Sequence, residues 1–306
     1  MTTPRKEDVI RKAKEIWFND QWRDGIMNPN NPEISELKEC GAWSQAVSEL
    51  MRDSYRAEIE NHDYPIPNEF HNGLLFDWQE AMQTGVITTG SSNSGKTYLN
   101  WHIAKRLMEQ SVTVYVIDPS QKWNWMPKIT IQEGMRVKFK DGISTVFDVS
   151  FLTYPQRIEC ANKTSKALLD ARKRSQHDPP TFVIFEEGQL YVPEGSLRPS
   201  RKHNVCNDVI ELITNGRNYN IRFGIITQFP SEVDKLLVKM CKQRYFGWSN
   251  EKNDIQYIQG IIGKEWTKEL ATLDVGEFVY SYPRRGYKAT QKIKVPEFQM
   301  VMLVKP

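Results

Sequence analysis

Cysteine is scarce in this 306-residue chain, and the four present, Cys40, Cys160, Cys206 and Cys241, are scattered. They form no C-x-x-C pair, which argues against a zinc framework or a disulfide scaffold and suits a reducing compartment. The five histidines, His62, His71, His102, His177 and His203, likewise show no metal-ligand spacing and read as ordinary surface or core residues. No apolar run approaches the roughly 20 residues that cross a bilayer, so direct membrane insertion is not expected and any membrane role would pass through a partner. The opening MTTPRKEDVIRKAKEIW has charge but no apolar core, so no secretory signal is expected and a cytoplasmic location is. Charge of one sign is also lacking. Lys and Arg number 41 against 38 Asp and Glu, a net of +3. That is too small to announce a nucleic-acid binder, yet it leaves room for one whose basic residues line a channel. Internal repeats and low-complexity tracts are absent.

What is present begins with GSSNSGKT: Gly90, Ser91, Ser92, Asn93, Ser94, Gly95, Lys96 and Thr97. The pattern G-x-x-x-x-G-K-[ST] needs a strand to deliver the loop and a helix to leave it, so that backbone N–H groups and the helix N-terminus converge on a phosphate. Both flanks are there. Val86, Ile87, Thr88 and Thr89 are the β-branched residues of a buried strand, and Leu99, Ile103 and Leu107 fall on one face of the following helix. In this pattern Gly90 and Gly95 supply a permissive backbone, Lys96 reaches the β- and γ-phosphates of ATP, and Thr97 holds Mg2+. The competing reading is a Ser/Gly-rich turn without a ligand.

Residues 1–72 read as a helical N-terminal domain. Thr3 and Pro4 open a charged amphipathic helix through Trp17, and a second begins near Asn31 and Pro32. NHDYPIPNEFHNG reads as a linker. From 73 to 306 strands alternate with helices, the rhythm of an α/β fold with a mostly parallel central sheet. Residues 127–150 read as a β-rich excursion through MRVKF and STVFDV. A helix is expected from Tyr154 to Ser175, and the basic run at its end suits a solvated helix C-terminus.

TFVIFEEG supplies the second chemical signal. Phe182 to Phe185 form an apolar run, as a central parallel strand should, and it ends in Glu186 and Glu187. Two adjacent carboxylates repel unless something offsets the charge, and a divalent metal beside a phosphate-bound water does so. The alternative is a surface acidic pair after a core strand. IRFGIITQ is a further buried strand, and Gln228 at its end is placed either to touch the γ-phosphate or simply to cap the strand.

Taken in order, GSSNSGKT, VIDPSQKW, VIFEEGQLYVPE, NGRNYNIRFGIITQFPSEVD, NEKND and LATLDVGEFVYSYPRRG resemble the motor domain of the HerA/FtsK superfamily across about 85–306. The resemblance implies a RecA-like P-loop NTPase that uses ATP and Mg2+, acts on double-stranded DNA and assembles into a homo-oligomeric ring, a hexamer or pentamer. By position, Asp118 matches the family's acidic residue after the second strand. Glu186 stands where the family usually has Asp and would share the metal with Thr97. Glu187 matches the catalytic glutamate and Gln228 the Gln closing the fourth strand. Arg217 matches an arginine inserted into the neighbouring subunit's site.

The chain begins with helices, not the β-barrel of the HerA type, and lacks the transmembrane segments usual in the FtsK and conjugation types. It is therefore most similar to viral genome-packaging ATPases. That implies a place in the host cytoplasm, at the assembling virion, with a capsid vertex or portal protein as a further partner. The loop PEGSLRPSRKHN would then present Arg198, Arg201 and Lys202 to DNA in the pore, or else be a solvated basic loop. Other readings remain: a HerA-like or plasmid-transfer translocase, a P-loop nucleoside kinase, and a non-hydrolysing structural or DNA-clamping ring subunit. Trp123 and Trp125 serve in packing, or stack on nucleic acid or a partner.

Overall fold

In the computed structural model the described residues are 11, 76–133, 135, 137, 139, 142–174, 179–195, 206–284 and 287–295. The helical N-terminal domain expected at 1–72 lies outside them, apart from residue 11. Asp77 accepts from the Glu80 N–H at 2.9 Å and so starts helix α1 (Trp78–Thr84), an element the sequence reading did not foresee. Strand β1 (Val86–Thr89) follows, buried throughout, and runs through the loop 90–95 into α2 (Lys96–Glu109). Leu99, Ile103 and Leu107 of α2 have no exposed surface, and burying each contributes about 1.5–3 kcal/mol. Then come β2 (Thr113–Asp118), β3 (Lys128–Thr130), β4 (Thr145–Asp148), α3 (Tyr154–Arg174) and β5 (Thr181–Glu186). After α4 (Asn207–Asn215) and a 3-10 turn (Gly216–Tyr219) the chain forms β6 (Ile221–Thr227), α5 (Lys235–Met240) and β7 (Gln243–Gly247). It ends with α6 (Lys252–Ile262), α7 (Lys264–Leu270) and the hairpin β8 (Glu277–Arg284) and β9 (Tyr287–Lys294).

Among the described residues these strands make one nine-stranded sheet, ordered β3-β4-β2-β5-β6-β1-β7-β8-β9. Strands β1 to β7 are all parallel, while β8 adds antiparallel to β7 and β9 antiparallel to β8. The expected α/β fold with a mostly parallel sheet is thus present. The excursion expected at 127–150 is different in kind: β3 and β4 are parallel strands of the main sheet, and the described residues of MRVKF, Met135, Val137 and Phe139, carry no strand. Pairing Tyr115–Asp118 of β2 with Thr145–Asp148 puts the apolar residues of STVFDV into the core, which local alternation alone could not indicate.

Successive residues of each strand face opposite layers. Val114, Val116, Phe182 and Ile184 pack with Leu99, Ile103 and Leu107 on one side, whereas Tyr115, Ile117, Val183 and Phe185 pack with Leu168, Val209 and Leu212 on the other. Two buried side chains fasten α1 to the sheet. Arg222 of β6 donates to the Met82 carbonyl at 3.2 Å and to that of Gln83, and Gln243 of β7 donates to the Asp77 carbonyl at 2.7 Å. Strand β6 lies between β1 and β5, so the loop after β1, the acids after β5 and Gln228 after β6 all emerge at one edge of the sheet.

Candidate active site

The loop from Gly90 to Gly95 is shaped by backbone conformations that side chains resist. Gly90 has φ +145°, and a Cβ there would sit 2.7 Å from Ser94 Oγ; Gly95 has φ +93°, and a Cβ there would sit 2.9 Å from the Gly276 nitrogen. Neighbouring segments brace the loop. The Ser91 N–H donates to the Trp248 carbonyl at 2.7 Å, and the Gly276 N–H donates to the Ser94 carbonyl at 3.0 Å. Lys96, the first residue of α2, reaches back across the loop and donates to the Ser91 carbonyl at 2.7 Å. Burial pulls its pKa down to about 8, the nearby Lys122 pulls in the same direction, and Glu186 opposes them in part. A buried ammonium at a helix N-terminus, inside a cradle that a Cβ would fill, is chemistry that fits a polyphosphate.

Glu186 is buried, and three groups surround its carboxylate. Thr97 donates to Oε1 at 3.3 Å, the Trp123 indole N–H donates to Oε2 at 3.0 Å, and Lys122 Nζ lies 3.9 Å from Oε1. Burial raises the pKa of Glu186, the Trp123 bond and Lys122 counteract this, Asp118 adds to the rise and Thr97 counteracts it. Thr97 and Glu186 together can hold a divalent cation. Among the described residues no group of three or more His, Cys, Asp or Glu side chains could hold one, so phosphate and water would supply the remaining ligands.

Glu187 is placed quite differently. Its φ is +57°, in the left-handed region, which costs a non-glycine residue about 1–3 kcal/mol. That turn ends the strand direction, and the Glu187 carbonyl then accepts from the Leu190 N–H at 2.9 Å. One carboxylate is therefore locked beside Thr97, while the next is half-buried on a turned backbone.

Gln228 accepts at Oε1 from Ser92 Oγ at 2.8 Å, joining the end of β6 to the loop. Thr227 beside it donates to Gln189 at 2.7 Å, joining the same strand end to the segment after Glu187. Asp118 uses both carboxylate oxygens on its own loop, accepting from Ser120 N at 2.8 Å and Ser120 Oγ at 3.0 Å, and from Trp123 N at 3.1 Å. Lys96, Thr97, Glu186 and Gln228 thus meet at one edge of the sheet. Arg217 does not join them. It is exposed on the turn before β6, a strand of seven residues, roughly 23 Å in length, and so lies at the opposite edge of the sheet. Arg198, Arg201 and Lys202 lie outside the described residues. The basic end of α3 is mixed: Arg172 is buried and donates to Thr181, whereas Lys173 is exposed and pairs with Glu211 at 3.0 Å.

Sequence reasoning missed the contact of Trp123 and Lys122 with Glu186. The one available signal was their position, five and four residues after the acid that ends β2. A cavity of about 430 Å3 opens beside this group, lined by Lys96, Thr97, Tyr98, Trp101, Lys122 and Asn124 among others.

No protein-family model matches the sequence, and no curated protein matches it. Solved structures do. The chain is similar to B204, the DNA-packaging ATPase from Sulfolobus turreted icosahedral virus, at 15% identity over 69% of this chain and 97% of that one, with a TM-score of 0.51. It is also similar to VirB4 of Thermoanaerobacter pseudethanolicus, at 11% identity over 75% of this chain and 95% of that one, with a TM-score of 0.53. What is shared at these identities is the fold alone, that of a RecA-like P-loop NTPase.

Proposed function

We propose that the chain is a Mg2+-dependent ATPase that drives double-stranded DNA, and that the DNA is a viral genome on its way into a capsid. The observation that carries the ATPase reading is the meeting of Thr97 with Glu186, and of Ser92 with Gln228, beside a lysine at the start of α2. The packaging reading rests on the order of motifs along the chain and on the fold shared with B204. A translocase working outside a capsid is the second reading, favoured by the fold shared with VirB4.

Bound Mg2+ and ATP would supply a polarised γ-phosphate open to in-line attack by water. The chain's own residues do the rest. The loop N–H groups and Lys96 bind and orient the phosphates, and Thr97 with Glu186 holds the metal side. Glu187 orients water and takes its proton, and Gln228 senses the γ-phosphate through its bond to Ser92 of the loop. The position of Arg217, on the far edge of the sheet, suits a role in a neighbouring copy's site and not its own. That role requires a second copy of the chain, which the proposed homo-oligomeric ring, hexamer or pentamer, supplies. Arg198, Arg201 and Lys202 meet DNA phosphates in its pore, and a portal or capsid-vertex protein docks it at the assembling particle in the host cytoplasm. Among the described residues no helix is long and apolar enough to cross a membrane.

Phosphate release measured with Mg2+, with and without duplex DNA, tests the proposal. Wild type hydrolyses ATP and DNA stimulates it, whereas Glu187→Gln retains nucleotide and loses turnover by at least about 100-fold, as loss of a general base does. Wild-type turnover in Glu187→Gln removes the catalytic role from that residue.

A further inference from the structure

Trp123 is the buried residue whose contacts the proposed chemistry leaves unused. It lies in the loop after β2, is 1% exposed, and packs its ring 6.5 Å from that of Trp101 in an edge-on arrangement. Its main-chain N–H is tied to Asp118 at 3.1 Å, and Asp118 also accepts twice from Ser120, so the loop that carries the indole is fixed at its root. An indole held at both backbone and ring has little freedom to turn. Its one polar atom donates to Glu186 Oε2 at 3.0 Å, while Glu186 Oε1 faces the Thr97 hydroxyl at 3.3 Å.

The two carboxylate oxygens therefore have separate duties. One is engaged by the indole, and this fixes the plane of the carboxylate; the other is left toward Thr97, with Lys122 Nζ 3.9 Å away. Glu186 ends a strand and carries more rotatable bonds than an aspartate, so without the indole bond its carboxylate can turn away from Thr97. We propose that Trp123 is a positioning residue for the metal site, holding Glu186 in the rotamer that presents Oε1 and the Thr97 hydroxyl to the same cation. This rests on the reading of Thr97 and Glu186 as the metal side of a nucleotide site. It also gives Asp118 a concrete task, since that carboxylate sets the loop from which the indole reaches Glu186.

A tryptophan that merely fills the core would be replaced by any aromatic ring of similar shape. Trp123→Phe keeps a ring and removes the N–H. The probe is Mn2+, titrated by electron paramagnetic resonance in the presence of a saturating non-hydrolysable ATP analogue, and the parallel measurement is binding of a fluorescent ADP in EDTA. Removing an outer-shell partner of this kind weakens metal binding by about 10-fold or more. The expected result is that loss for Mn2+ with unchanged metal-free ADP binding. Where Trp123→Phe does not fold, 3-benzothienylalanine at position 123 keeps the bicyclic shape without the N–H and carries the same expectation. Equal Mn2+ affinity in the wild type and the folded variant overturns the positioning role. Absence of Mn2+ binding by the wild-type complex overturns the nucleotide-site reading itself, and the inference with it.

Discussion

Replacing Lys96 with Met stabilises the protein in the absence of nucleotide and removes its response to nucleotide. Lys96 is buried at the mouth of the loop, and its pKa stands at about 8 against an ordinary 10.5. That difference corresponds to a cost of roughly 3 kcal/mol for keeping the ammonium protonated at neutral pH. Against it stands the bond from Nζ to the Ser91 carbonyl, 2.7 Å long, a charged donor worth about 1.5–3 kcal/mol. Ser91 is only half-buried, so water replaces part of that bond when the amine is gone. The balance favours Lys96→Met by about 1 kcal/mol, or roughly 2–4 °C in Tm for a domain of this size. Between pH 8 and 10.5 the unfolded chain binds more protons at this site than the folded one, so wild-type stability rises with pH across that window. Below pH 8 both states are protonated and the cost is present in full. The variant lacks the rise. ATP with Mg2+ at about 100 times its Kd adds about 2.7 kcal/mol to the wild type and little to Lys96→Met. Thermal unfolding from pH 7 to 10, with and without nucleotide, reads all of this. A variant less stable than wild type at pH 7, with the same pH slope, refutes the reasoning.

Two further outcomes concern assembly and DNA. Arg217→Ala and Glu187→Gln are each nearly inactive alone, and mixing them restores part of the ATPase rate, because some interfaces then pair an intact Arg217 with an intact Glu187; no recovery in exchange-competent mixtures rejects a shared site. Replacing Arg198, Arg201 and Lys202 together with Ala lowers duplex affinity equally across sequences and flattens the salt slope by up to about three phosphate contacts, read by fluorescence anisotropy; an unchanged slope takes the loop off the DNA path.

The parts of the fold legible in the sequence are those whose signal is local. Val86–Thr89 and the spacing of Leu99, Ile103 and Leu107 located β1 and α2, and the apolar run ending at Glu186 located β5. Elements defined by distant partners were not legible. Helix α1 depends on Arg222 and Gln243, and β4 depends on its pairing with β2. The site divides in the same way. Lys96, Thr97 and Glu186 could be named from spacing, but the Gln228–Ser92 and Trp123–Glu186 bonds span 136 and 63 residues of sequence. No pattern within a short window contains them.

The two ends of the sheet bear on how copies of this chain can meet. Among the described residues one end is β3, three exposed residues long, and the other is β9, where Lys292 and Lys294 flank the buried Ile293. A very short strand and a lysine-studded one are both poor templates for another chain's backbone. In the assembly proposed above, contacts between copies would then fall to helices and loops, whose side chains can part and re-form without unzipping a ladder of main-chain hydrogen bonds. The proposed ring, held together in that way, would loosen one interface at a time while the rest stay closed.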